Sequence, residues 1–259
     1  MPLACRVPPT ITQALILHGI AYGDTSRILR LLTRDHGLQS VIAKGARRPR
    51  SRTGPRLDLF GQGEASIQFK PHRELNTLTA FEMTDAHSPL AGDVARFAAA
   101  SAVAELALRF APVDAHPDLY DTVTSGLAAL EQAPAELVGA VGLLACWQVI
   151  GALGFAPSLD QCAVCGREVS GALAFSASHG GALCTAHRRE ARTSNLAESD
   201  AAALRALAAG RLPEPPLEAR HEAAHRRLLL QFIRHHLAEQ RPLPALAFWD
   251  DRSWDAASS

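Results

Sequence analysis

The chain has 259 residues, of which 47% are hydrophobic and 20% are charged, and its 26 basic side chains equal its 26 acidic ones. This composition is typical of a soluble globular protein with one large domain or two to three small ones. No apolar run reaches the roughly 18–20 residues that span a bilayer, and residues 1–10 lack the apolar stretch of a secretory signal, so membrane and secreted classes are disfavoured.

The N-terminal part predicts an antiparallel β-barrel. Between residues 10 and 85, apolar runs such as Ala14–Leu17, Ile28–Leu32 and Val41–Ala43 are each followed by turn residues. In residues 64–70, apolar and polar side chains alternate as in a half-buried strand. Because about five strands in so short a segment leave no room for crossover helices, we expect an OB-fold, and an SH3-like barrel stays open on pattern alone.

Charge is segregated within this neutral chain. The first 80 residues carry 12 basic and 5 acidic side chains, a net of +7, and five arginines fall between Arg47 and Arg56. A local positive field attracts polyanions, of which nucleic acid is the commonest inside cells. Guanidinium groups in a Gly-, Pro- and Ser-containing loop suit phosphate contacts. The candidate DNA-binding residues are Arg27, Arg34, Lys44, Arg47, Arg48, Arg50, Arg52 and Arg56.

The basic loop contains no aromatic residue. We therefore expect binding to the phosphate backbone, with little sequence preference and a steep dependence on salt. Base stacking is a minor contribution unless a barrel aromatic offers a platform, and the candidates are Tyr22, Phe60, Phe69 and Phe81. The alternative interpretation is a charged loop that is merely solvated.

The character of the chain changes beyond the predicted barrel. Residues 81–160 hold 10 acidic side chains and 2 arginines, and their apolar spacing predicts helices. The predicted class is multidomain α+β. Its predicted parts are an OB-fold domain over 1–84, an α-helical domain over 85–156 and 196–241, a zinc-binding insertion over 157–195 and an irregular tail over 242–259.

A cysteine cluster indicates a metal site. Cys162 and Cys165 form a CxxCG knuckle, and Cys184 forms a second pair of the same spacing with His187. Four soft or borderline ligands match the tetrahedral preference of Zn²⁺ and leave no open position, so we expect a structural zinc ion. His179 is a competing fourth ligand, and ordinary buried cysteines or a redox CxxC are the alternatives. Five unevenly spaced cysteines also favour a reducing, cytoplasmic compartment.

A second motif, His221-Glu222-Ala-Ala-His225, matches the HExxH pattern of helical zinc proteases. Arginines flank it at positions 220, 226 and 227, and no third ligand follows at a recognisable spacing. A protease is therefore the least favoured alternative, and we expect no catalytic residues.

Several short strings occur in a specific order along residues 10–190. They are Leu15–Leu29, Leu32–Gly37, Val41–Arg47, Trp147–Pro157, Cys162–Gly166, Phe175–Ser176, Gly180–Gly181 and Cys184. Together they resemble the bacterial recombination mediator family RecO. The resemblance implies an OB-fold domain, a helical bundle and a zinc-binding insertion. Members that bind zinc commonly have four cysteines, whereas His187 stands at the last position here.

The resemblance also implies a function without bond-breaking chemistry. Such proteins bind single- and double-stranded DNA, anneal complementary strands, and work with RecR to help load the RecA recombinase onto strands coated by the single-strand-binding protein SSB. A cytoplasmic, nucleoid-associated location follows from that role. An OB-fold RNA-binding module with a zinc ribbon and a pure scaffold protein are the remaining alternatives.

Overall fold

The structure is a computed structural model that describes residues 8–48, 57–70, 74–189, 191–237 and 242–251. Three predicted DNA-binding residues, Arg50, Arg52 and Arg56, lie outside these described residues. The chain forms two compact units. One is drawn from residues 1–88 and 107–124, and the other from residues 89–106 and 125–259. The finer domain boundaries expected from the sequence stay a prediction.

The first unit is built on a closed barrel of five strands, in the order β1-β2-β3-β5-β4. The strands are β1 (Thr10–Tyr22), β2 (Ser26–Thr33), β3 (Gly37–Ala43), β4 (Gln62–Gln68) and β5 (Leu75–Asp85). Neighbouring strands are antiparallel except β3 and β5, which are parallel. The predicted N-terminal barrel of OB type is thereby confirmed.

Alternation along the strands decides which side chains fill the barrel. Successive residues of a strand point to opposite faces, so every second side chain enters the interior. The interior is filled by apolar side chains from all five strands: Ala14, Ile16, Leu29, Leu31, Val41, Ala43, Ala65, Ile67, Leu78 and Phe81. The residues between them on each strand face outwards.

A bulge in β1 resets this alternation near the β1–β2 turn. The register between β1 and β2 shifts between Ile16 and His18, as expected where one strand carries an extra residue. Beyond the shift, Gly19 pairs with an inward residue of β2 and faces the interior. His18, Ile20 and Tyr22 are therefore outward residues, and all three are exposed.

Gly37 begins β3 with a φ of 61°, in the left-handed region that favours glycine. A β-carbon at this position would collide with the backbone carbonyl groups of Val113 and Asp114. The N–H of Leu38 donates to the carbonyl oxygen of Pro112 at 3.1 Å. The segment 112–114 thus packs directly on the β2–β3 turn, within the first unit.

Helices dominate the chain after the barrel. Within the described residues they are α1 (Ser88–Gly92), α2 (Val94–Phe110), α3 (Pro117–Gln132), α4 (Val138–Ala152), α5 (Glu198–Ala208), α6 (Ala219–His236) and α7 (Pro244–Asp251). Three short strands, β6 (Leu173–Ser176), β7 (Gly181–Leu183) and β8 (Ser194–Leu196), form a sheet in the order β7-β6-β8. The predicted order of a barrel followed by a helical region is confirmed.

The tail expected to be irregular over residues 242–259 contains a helix instead. Helix α7 begins at Pro244, a residue whose fixed φ suits the first turn of a helix. It buries Leu246 and Trp249, and the Trp249 ring lies against Gly142 of α4, where there is no side chain to exclude it. The prediction was wrong here because this apolar contact, rather than local composition, decides the conformation.

One segment, Ala135–Ala152, is long and apolar enough to cross a membrane by length and composition, with a mean hydropathy of 1.6. The expectation that no run of the chain reaches this length was therefore wrong. The segment is 56% buried inside the structure. Its glycines and alanines suit close packing between core helices, and the core helix of a globular protein passes the same test of composition.

Changing Gly37 to Ala tests the close approach at the β2–β3 turn. We expect the free energy of unfolding to fall by more than about 2 kcal/mol, because a positive φ and a collision with backbone atoms both oppose the new methyl group. Gly23→Ala is the matched control, since Gly23 has a φ of 57° but no neighbour within 4 Å of the added β-carbon. Equal losses for the two variants in denaturant unfolding would contradict the packing argument.

Candidate nucleic-acid interface and metal centre

The outward side of β1, β2 and β3 forms a continuous, partly exposed surface at the end of the barrel near the β1–β2 turn. Cross-strand pairing places Ile20 opposite Ile28, and Ile28 opposite Ile42. We call this surface the outer face. It is made by the outward residues His18, Ile20, Tyr22, Ser26, Ile28, Arg30, Ser40 and Ile42.

Three predicted cations lie exposed beside the outer face. Lys44, Arg47 and Arg48 follow β3 directly, and each side chain is exposed. The backbone N–H of Arg47 donates to the carbonyl oxygen of Thr25 at 3.0 Å, and its guanidinium donates to the carbonyl oxygen of Gly23 at 3.4 Å. These bonds join the loop after β3 to the β1–β2 turn, so the three cations are held at one end of the barrel.

Arg27 belongs to the same end of the barrel but has a different environment. It pairs with Ala43 across β2 and β3, and its guanidinium lies beside Gly19 on the inward side. Its Nη1 lies 3.7 Å from a carboxylate oxygen of Asp58. Arg27 therefore faces the mouth of the barrel, where Asp58 offsets part of its charge.

Arg34 lies away from the other predicted cations. Arg34 follows Arg27 by seven residues and lies just beyond the end of β2. At the usual rise per residue of a strand, this corresponds to a separation of about 23 Å. Its guanidinium makes two hydrogen bonds to the carboxylate of Asp121, at 2.9 and 3.1 Å. The hydrogen bond from Arg34 lowers the pKa of the Asp121 carboxyl group. A phosphate that uses the same two donors, Nε and Nη2 of Arg34, must replace Asp121.

Arg30 is an outer-face cation that sequence reasoning missed. It lies on β2 opposite His18 of β1 and Ser40 of β3. Its Nε is buried without a hydrogen-bond partner among the described residues. Alternation could have found it, because Arg30 lies two residues from Ile28 and hence on the same face of the strand.

The four predicted metal ligands come together in the second unit. The Sγ atoms of Cys165 and Cys184 lie 3.9 Å apart, and Nδ1 of His187 lies 3.3 Å from Sγ of Cys184 and 3.5 Å from Sγ of Cys162. One ligand atom from each residue lies within 4.8 Å of all the others. Tetrahedral zinc with Zn–S bonds of about 2.3 Å separates its sulfur ligands by roughly 3.8 Å. The donor set and its spacing fit one metal ion.

Local turns deliver these ligands. Gly166 has a φ of 71°, and its N–H donates to the carbonyl oxygen of Cys162 at 2.8 Å, which closes the first knuckle. The N–H of Ala163 donates to Ala182 of β7 at 2.8 Å, so the knuckle is fastened to the strand that leads into Cys184. His187 begins the following 3₁₀ turn.

The thiol pKa is lowered at Cys162 and Cys184, whereas that of Cys165 is raised, despite the backbone hydrogen bond of Arg167, by burial and by the side chains of Cys162 and Cys184. Burial opposes ionisation of Cys162, but backbone N–H groups of Cys184, Cys165 and Val164, together with the His187 side chain, lower the pKa of its thiol to about 5. The pKa of His187 is raised, first by its hydrogen bond with Cys162 and then by that with Cys184. Since thiolate is the form that binds metals, this environment favours a cation at the centre of the cluster.

His179 has other partners. Its Nδ1 lies 3.0 Å from Oγ of Ser176 and 3.2 Å from Oγ of Ser178. Among the described residues, the fourth ligand atom near the three cysteines belongs to His187. This geometry favours His187 over His179 as the fourth ligand.

The polar side chains of the HExxH motif on α6 interact with other side chains of the second unit. His221 Nδ1 lies 2.7 Å from a carboxylate oxygen of Asp200, and Nε2 of His225 lies 3.5 Å from the same oxygen. Glu222 is buried and forms an ion pair with Arg226, one turn further along α6. A general base must reach a water molecule, and this carboxylate is engaged inside the protein.

The fold and the site define a class: an OB-type barrel protein with an exposed cationic end and a helical unit that carries a Cys₃His cluster able to hold a metal ion. A family model described as recombination protein O N terminal matches residues 9–87, and one described as recombination protein O C terminal matches residues 91–245. The chain therefore belongs to the recombination protein O (RecO) family.

Curated relatives agree with this membership. The chain is 34% identical over 245 residues to a DNA repair protein RecO of Anaeromyxobacter dehalogenans (strain 2CP-C), with 92% of this chain and 94% of that protein covered. It is 32% identical over 217 residues to a protein of the same name from Synechococcus sp. (strain JA-3-3Ab), with 80% and 71% covered. A third, from Heliobacterium modesticaldum, is 36% identical over 157 residues, covering 61% and 56%.

Removal of a metal ligand tests the cluster. We expect Cys184→Ser to lose bound metal and to lower the free energy of unfolding by more than about 3 kcal/mol, because the ion replaces a larger apolar core in this segment. His179→Ala is the matched control, and we expect it to keep one metal ion per chain. Metal analysis and chelator-dependent melting check both variants. A metal-free wild type, or metal loss on changing His179 alone, would contradict the assignment.

Proposed function

We propose that this protein is a non-catalytic DNA-binding mediator of recombinational DNA repair. It binds single- and double-stranded DNA, anneals complementary strands, and with RecR assists the loading of RecA onto SSB-coated strands. Family membership and the DNA repair names of the relatives support this proposal. So does the barrel, since OB-folds commonly bind oligonucleotides through the strand 2–3 face and adjoining loops.

The observation that carries the proposal is the exposed cation group formed by Lys44, Arg47 and Arg48 beside the outer face. Among the described residues, no carboxylate forms an ion pair with any of the three. Unneutralised cations gain most from a polyanion, because each phosphate contact releases a condensed counterion. Arg50, Arg52 and Arg56 continue the same sequence and, in our proposal, extend the interface.

Annealing requires two phosphate chains to lie close together despite their repulsion. A cationic surface lowers that repulsion without any covalent step, and contacts to phosphate carry no sequence information. A mediator that acts on any strand needs this low selectivity. The basic end of the barrel therefore matches the physical requirement of the reaction.

We assign zinc to the Cys₃His cluster. Three thiolates and an imidazole are the usual donors for this ion, and four protein ligands close its coordination shell. When bound, zinc would cross-link the two knuckles and would have no position for a substrate. Its role in this proposal is structural.

The other proposed partners are RecR and SSB, which contact the protein rather than being cut or modified by it. Residues 81–160 are strongly acidic, so this part of the chain repels phosphates and is better suited to proteins. A cytoplasmic, nucleoid-associated location fits a protein whose substrate is chromosomal DNA.

The double change Arg47→Ala/Arg48→Ala tests the cation group. We expect affinity for single-stranded DNA to fall by about tenfold or more at moderate salt, and the slope of log K against log salt to decrease by about 1.4, or about 0.7 for each lost phosphate contact. Strand annealing should slow in parallel. Arg211→Ala/Arg220→Ala removes the same charge from exposed positions of the second unit and serves as the control. An unchanged slope for the first pair would exclude it from the interface.

Asp121→Asn tests whether the ion pair with Asp121 prevents Arg34 from binding phosphate. Freed from its carboxylate, Arg34 becomes available to phosphate, and we expect a two- to fivefold gain in DNA affinity with a slope steeper by about 0.7. Asp118→Asn removes an equal charge from an exposed position of α3 whose carboxylate makes no ion pair among the described residues. Equal gains for both variants in a binding titration would show a general charge effect and no role for Arg34.

A further inference from the structure

The four aromatic residues of the barrel differ sharply in exposure. Phe60 is 2% exposed and Phe81 is 6% exposed, so both rings are buried. Phe69 is half-buried, and its ring centroid lies 4.8 Å from that of His36. Tyr22 is 55% exposed. Of the aromatics that the sequence offers, only Tyr22 presents a large ring surface to solvent among the described residues of the barrel.

The setting of Tyr22 leaves its ring open. It is the last residue of β1 and pairs with Ser26, whose side chain is too small to cover an aromatic ring. Neither a ring contact nor a hydrogen bond of the Tyr22 side chain occurs among the described residues. Gly23, with a φ of 57°, turns the chain immediately after it.

Tyr22 has an apolar neighbour on its own strand face and a cation bound to the turn that follows it. Ile20, two residues earlier on the same face, is 49% exposed and begins the row that continues to Ile28 and Ile42. Arg47 is tied to the carbonyl oxygen of Gly23 and hence to the turn that follows the ring. An exposed ring between an apolar row and phosphate-binding cations matches the two parts of a nucleotide, the flat base and the charged backbone.

We propose that Tyr22, with Ile20 and Ile28 beside it, is a base-stacking platform that makes the outer face prefer unpaired strands. The inference rests on the proposed function and specifies its substrate. Bases of a duplex are stacked on one another and cannot lie on a protein ring, whereas an unpaired base can. A single ring takes one or two bases, so the other bases of the strand stay free to find their complements.

A comparison of normal and abasic strands tests this platform. The probes are an oligo-dT strand, an abasic strand of equal length that keeps its phosphates, and a duplex. We expect the wild type to bind oligo-dT about tenfold more tightly than the abasic strand, the range measured for one stacked base. Tyr22→Ala should abolish that ratio and leave abasic-strand and duplex affinities within about twofold of wild type, because the cations remain.

Two variants keep the experiment decisive. Tyr22→Phe retains the ring and should retain the ratio. Ile11→Ala removes an apolar side chain that is 59% exposed at the far end of β1, and should change nothing. The platform is overturned if the wild type binds normal and abasic strands equally, or if Tyr22→Ala weakens all three probes alike. A wild type that binds none of the probes would overturn the proposed function as well, which separates the two failures.

Discussion

Closure of the five-stranded barrel is the constraint on which the proposed DNA interface depends. A small closed barrel has an interior just wide enough for side chains, so alternate residues of every strand must fill it and the residues between them must face outwards. After the bulge in β1, inward and outward residues continue to alternate up to the β1–β2 turn, and Tyr22 is one of the outward residues. The chemistry of the outer face is thus tied, residue by residue, to the packing of the core.

Net charge alone gives an incomplete account of the electrostatics of the first unit. Among the described residues, no carboxylate forms an ion pair with Lys44, Arg47 or Arg48, whereas Arg34 is held by Asp121 through two hydrogen bonds. An exposed ion pair of this kind contributes little to stability, because solvent screens it. The main effect of Asp121 is therefore to lower the positive potential around Arg34. The positive potential of the first unit is strongest near Lys44, Arg47 and Arg48, which no described carboxylate neutralises.

The metal cluster addresses a different physical problem. The hydrophobic core around it is small and consists of Cys162, Leu183 and Cys184, packed by Ala163, Val169 and Ala191. So few apolar contacts offset little of the conformational entropy lost on ordering the turns. Coordination by four ligands would supply the missing stabilisation. The lowered pKa of the Cys162 thiol favours a cation at this point.

Features encoded by local spacing could be predicted from the sequence. The period-2 pattern of residues 64–70 requires a half-buried strand, and the spacing that follows Cys162 brings two thiolates to one point whatever surrounds them. Contacts between distant residues could not be predicted, because they depend on topology: Arg34 meets Asp121 across 87 residues of chain. Exposure is equally non-local. Which aromatic is left in solvent was decided only when the barrel closed, and that selected Tyr22.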